Sequence, residues 1–147
     1  MKIKDGEQEN LRLYMKRAME HENAMIVRTK TFKKYIKDKK LVGLLNQCQK
    51  VAENHLVILK KYWDELKIEV VTKANMSVDT LDQLEETQKQ LRKNEAFYNE
   101  AILDVLNPLI RDMLTDFIED DLKLYFSIRE EVIKLKNKPQ APTLGIK

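Results

Sequence analysis

Four stretches of this sequence place apolar residues at steps of three and four, or sums of these, and a chain with that spacing buries them best as amphipathic helices. In the first, about 7–37, the stripe is Leu11, Met15, Ala18, Met25, Phe32 and Ile36. The second carries Leu41, Leu45, Cys48, Ala52, His55, Leu59, Tyr62 and Leu66. The third runs Leu81, Leu84, Gln88, Leu91, Glu95, Tyr98, Ile102 and Val105, and the fourth, 108–136, uses Ile110, Leu114, Phe117, Leu124, Ile128 and Leu135. Three glycines and three prolines in 147 residues agree with this reading. A β-rich chain needs many tight turns, which draw on residues that accept positive φ or preset the chain direction.

The breaks between stripes have recognisable chemistry. Residues 37–40, Lys-Asp-Lys-Lys, form a short polar interruption. Residues 67–78 mix β-branched side chains with an asparagine and read as a connector. Ser77 or Asp79 is placed to cap the third helix, with Asp82, Glu85 and Glu86 favourable to its early turns. Asn107-Pro108 ends it, because proline disfavours the α conformation in the residue before it and fits the first turn of a new helix. A bundle over 1–136 and a flexible tail over 137–147, which holds two prolines and a glycine, complete the expected organisation.

Short connections make helices one and two, and helices three and four, antiparallel neighbours. The middle connector is different. At roughly 3.3 Å per extended residue it reaches about 40 Å, close to the length of a bundle of ~26-residue helices. The expected fold is therefore an all-α, antiparallel four-helix bundle with a long central crossover, the ferritin-like arrangement. An up-down-up-down bundle is the alternative.

Composition narrows the function classes. The single cysteine, Cys48, cannot form an internal disulfide or a cysteine-rich zinc site, and suits a reducing compartment as a core thiol. No apolar run approaches the roughly 20 residues of a membrane span, and the N-terminal segment lacks the apolar core of a signal peptide. A cytoplasmic protein without a membrane span is expected. With 27 basic and 24 acidic side chains the net charge is only +3, so no global case for nucleic acid arises.

Residues 94–133, NEAFYNEAILDVLNPLIRDMLTDFIEDDLKLYFSIREEVI, contain Asn107-Pro108, then Arg111, an acidic stretch and the aromatic pair Tyr125 and Phe126. This segment resembles the C-terminal hairpin of the spore coat F-like proteins, a ferritin-like family. Residues 44–59, LLNQCQKVAENHLVIL, are similar to that family's second helix, in which a histidine commonly lies on the inner side; His55 is the match. The resemblance implies the bundle fold and a spore-associated role.

Ionisable residues interrupt each stripe. Glu22 falls between Ala18 and Met25, His55 between Ala52 and Leu59, Glu95 between Leu91 and Tyr98, and both Asp120 and Asp121 between Phe117 and Leu124. Levels in an antiparallel hairpin follow a roughly constant sum of residue numbers. That rule sets Glu22 beside His55, and Glu95 beside Glu119 or Asp120. Glu22, His55, Glu95 and Asp120 are accordingly the candidate metal ligands, suited to Fe, Mn or Zn. A full di-metal set would need a glutamate three residues before each of two histidines. Ala52 occupies that place before His55, and the fourth helix has no histidine. The leading expectation is a polar network that sets helix register, with no cofactor, in a non-enzymatic structural or interaction protein. A reduced metal site, in a metal-binding protein or an oxidoreductase, is the alternative.

No serine or cysteine nucleophile is spaced with His21, which is expected at an edge. A basic run from Arg28 to Lys40 and an acidic run, Asp112, Asp116, Glu119, Asp120 and Asp121, are complementary, and could meet between subunits of a homo-oligomer or on a protein partner.

Overall fold

The computed structural model describes residues 5–63 and 79–137. They form four helices, α1 (Asp5–Lys33), α2 (Lys39–Trp63), α3 (Thr80–Asp104) and α4 (Pro108–Asn137), and no strand occurs among the described residues. The 67–78 connector, the Ser77 cap, Leu66 and the tail from residue 138 lie outside them.

Each boundary has a local cause. The α1 helix tightens as it ends: the Lys34 and Tyr35 amides donate to the Thr31 and Phe32 carbonyls, at 3.2 and 2.9 Å. Asp38 then caps α2, accepting the amides of Lys40 at 2.9 Å and Leu41 at 3.1 Å. Asp79 caps α3 by accepting the Asp82 amide at 3.1 Å. At the last boundary Asn107 accepts the Leu109 amide at 3.0 Å, and Pro108, which lacks an amide hydrogen, opens α4.

Pairings across the interfaces give the topology. Along α1 and α2, Glu22 meets His55 and Lys33 meets Asn46, so these helices are antiparallel. Along α3 and α4, Tyr98 meets Phe117 and Glu85 meets Lys136, again antiparallel. Between the hairpins, α1 packs on α3 and α2 on α4. Tyr14 meets Asp104 and Arg28 meets Glu86, while Lys40 meets Glu131 and His55 meets Asp120, so both contacts are antiparallel too. Hence α2 and α3, diagonal to each other, run in the same direction. Trp63 and Thr80 therefore lie at opposite ends of the bundle, as a crossover connection requires. An up-down-up-down path would have made those two helices antiparallel.

The core divides into two apolar halves. At the α1–α2 turn, Phe32, Ile36, Leu45, Leu84, Leu124 and Ile128 pack together. Toward the α3–α4 turn, Leu11, Met15, Leu59, Trp63, Ile110 and Leu114 do so. Complete burial of such side chains contributes about 1.5–3 kcal/mol each. In α2 the last buried position is Trp63, whereas Tyr62, placed in the stripe by spacing, is half exposed. Cys48 is buried as expected, and burial, with the charge of Asp121, pushes its thiol up to about 12, leaving it unreactive.

Candidate metal centre

Where the two apolar halves meet, the bundle turns polar. Glu22 on α1, His55 on α2 and Asp121 on α4 are almost fully buried, at 1%, 1% and 3% exposure. Each takes an inward position along its helix's stripe, so the helical period that packs Met25, Ala52 and Leu124 also aims these three side chains inward. A ligand atom from each lies within 4.8 Å of the other two.

The imidazole is held on three sides. His55 Nδ1 faces Glu22 Oε1 at 3.2 Å and Nε2 faces Asp120 Oδ2 at 2.9 Å. Phe117 stacks on its ring, 3.9 Å between centroids and 18° between planes. From α3, the Tyr98 hydroxyl donates to the same Glu22 oxygen at 2.6 Å. All four helices thus contribute to one layer, yet Asp121 Oδ2 has no hydrogen-bond partner despite its burial.

The electrostatics follow from three carboxylates around one base. Burial acts to lower the His55 pKa, but Glu22 foremost, then Asp120 and Asp121, outweighs it and raises the imidazole to about 9. Burial, followed by the charges of Glu22, Asp120 and Glu95 and opposed by His55, lifts the Asp121 carboxyl to about 8. Tyr98 is pushed well above its ordinary value by burial and by Glu22. Near neutral pH the layer therefore holds protons on both His55 and Asp121.

Of the four residues proposed from sequence, Glu22 and His55 come together in the buried layer. Asp120 reaches His55 from the edge, with 45% of its side chain exposed. Glu95 is half-buried, and its carboxylate bonds Arg92 on its own helix at 3.1 Å. Asn94 takes the buried position in that turn and accepts from Gln90 at 3.0 Å. The reason is rotational: Thr87 and Asn94, rather than Gln88 and Glu95, share the inner face of α3 with Leu84, Leu91 and Tyr98. On α4, steps of four and three from Phe117 reach Leu124 through Asp121, and steps of three and four do so through Asp120. Spacing admits both, so it does not rank Asp121 above its neighbour.

The donor set suits a divalent transition metal. Carboxylate and imidazole are ligands for Zn, Mn and Fe, and one such atom from each of the three residues lies within 4.8 Å of the others. The unpaired Asp121 oxygen supplies a ligand that no protein donor satisfies. Asp120, bonded to the other face of the imidazole, would fix the tautomer and orient the ring. His21 lies elsewhere, half-buried and edge-on to Phe97 at 5.0 Å, with its pKa lowered by burial. Compared with known proteins, the chain matches no family, and no curated protein or solved structure is significantly similar to it.

Proposed function

We propose that the protein binds one divalent transition metal, Mn, Fe or Zn, through Glu22, His55 and Asp121. The observation that carries this reading is the Asp121 oxygen, buried and unpaired beside two further ligand atoms. Native interiors leave few polar atoms unsatisfied, and Asp121 keeps its proton because burial and the neighbouring carboxylates disfavour its ionised form. A metal ion supplies positive charge and displaces the protons held on His55 and Asp121. Three protein ligands leave coordination positions for water or a substrate, the pattern of a reactive rather than a closed structural site. Descent from ferritin-like bundles, and a spore-associated or cytoplasmic location, belong to the same proposal. The crossover topology supports the descent, and the 94–133 segment supports the coat F-like resemblance.

The test is elemental analysis after reconstitution with Mn(II), Fe(II) and Zn(II), together with His55→Ala. About one metal per chain is expected in the wild type and none in the variant. Wild-type protein that retains no stoichiometric metal from any of the three would sink the proposal.

A second reading, a non-enzymatic structural or interaction protein, has its own support. Both nitrogens of His55 and one oxygen of Glu22 already have partners within the protein, so the layer can set helix register without an ion. Urea midpoints of His55→Leu, Glu22→Gln and the double variant, in chelator, measure this. A coupling of 1 kcal/mol or more is expected from touching side chains, whereas additive effects would remove the network.

A further inference from the structure

A groove of about 520 Å³ opens between α2 and α4 in the half of the bundle near the α3–α4 turn. Tyr62, Leu109 and Met113 give it apolar walls, and Asp112, Asp116 and Glu119 give it a carboxylate rim. Among the described residues Leu109 is 72% exposed and Tyr62 49%. At the opposite end, the α1–α2 turn presents the complementary chemistry. Tyr35 there is 57% exposed, and Lys34, Lys37 and Lys39 around it are exposed as well. One surface is an apolar slot edged by anions. The other is an aromatic side chain flanked by three lysines, which outnumber the one carboxylate of the turn, Asp38.

We propose that a second copy of this chain docks its 34–39 turn into the α2–α4 groove, head to tail. The Tyr35 ring fills the slot between Tyr62, Leu109 and Met113, and Lys34, Lys37 and Lys39 pair with Asp112, Asp116 and Glu119. The two surfaces differ and lie at opposite ends of a molecule whose α2 alone is about 37 Å long at ~1.5 Å per residue. Such an interface is heterologous: it leaves one free groove and one free turn at each step, and propagates into a chain or ring rather than stopping at a two-fold dimer. Its contact is small and its charges lie at the rim, so it forms at low ionic strength and high protein concentration. The inner end of the groove reaches Phe117 and Asp120 beside His55, but the residues that hold the second copy, Tyr62, Leu109, Asp112, Met113, Asp116 and Glu119, are none of the candidate ligands, so docking does not require metal.

Sedimentation velocity on the full chain provides the test. At about 0.02 M salt, where charges interact over ~20 Å, the weight-average mass should at least double between dilute and concentrated samples. At about 0.5 M salt it should return to the 17.4 kDa of the single chain. A turn variant, Lys34→Gln/Tyr35→Ala/Lys37→Gln, and a groove variant, Asp112→Asn/Asp116→Asn/Glu119→Gln, should each remain monomeric alone. Mixed in equal amounts they should form a dimer and nothing larger, because one intact turn then meets one intact groove. Circular dichroism verifies folding. If either triple variant misfolds, the exposed single changes Tyr35→Ala and Leu109→Lys replace them in the same mixing scheme. A wild type that stays monomeric in low salt, association that salt does not weaken, or a mixture that yields no dimer would each overturn the proposal.

Discussion

Tyr98 of α3 and Glu22 of α1 form the shortest hydrogen bond in the buried layer: the phenol donates to Glu22 Oε1 at 2.6 Å, the same oxygen that faces His55 Nδ1. That contact joins the two helical hairpins at the level where both halves of the core end.

Tyr98→Phe keeps the ring, and with it the edge-on contact to Phe117 at 5.5 Å, but removes the donor. A hydrogen bond to a charged group contributes about 1.5–3 kcal/mol, so the urea midpoint should fall by that equivalent with an unchanged m-value. An unchanged midpoint would mean that Glu22 does not depend on the phenol.

The metal-free protein should lose stability as pH rises. His55 has a folded pKa raised from 6.5 to about 9, so its contribution is complete below 6.5 and is lost as pH rises through 9. Asp121 is raised from 3.8 to about 8, and its protonated form likewise favours the fold: stability falls between 3.8 and 8 as the folded state gives up a proton it binds more tightly than the unfolded chain does. Both groups act in the same direction. Thermal midpoints in chelator at pH 5, 7 and 9 should descend in that order, and Asp121→Asn should flatten the descent. Added metal should stabilise most at the alkaline end, where it no longer competes with protons. A midpoint that climbs toward pH 9 in chelator would contradict this electrostatic account.

Metal affinity separates the contributions of Asp120 and Glu95. Asp120→Asn alters the group that orients His55 and should weaken metal binding about 10–100-fold without changing stoichiometry. Glu95→Gln exchanges a carboxylate that bonds Arg92 and reaches Asp121 only through its charge, so it should weaken binding less than Asp120→Asn does. Isothermal titration with Mn(II) or Zn(II) ranks the two, and a larger loss from Glu95→Gln than from Asp120→Asn would reverse the assignment.

The helices themselves are legible in the sequence. Steps of three and four bring Leu11, Met15, Leu45, Leu114 and Ile128 onto inner faces, and Asp38, Asp79 and Asn107-Pro108 punctuate the chain by capping chemistry that acts within a single turn. Short connections make each hairpin antiparallel and place Glu22 level with His55, because distance along a helix follows directly from residue number. Rotation about the helix axis is another matter. Adjacent residues differ by about 100°, so Glu95 and Asn94, Asp120 and Asp121, and Tyr62 and Trp63 all flank their seams. Which member of each pair is buried depends on the direction from which two other helices approach. That direction was set by the packing of α1 on α3 and α2 on α4, contacts between segments far apart in sequence that no local period encodes. Local period and capping therefore determined four helices, their ends and their levels, while only the tertiary packing brought Asp121 into the polar layer and turned Glu95 toward Arg92.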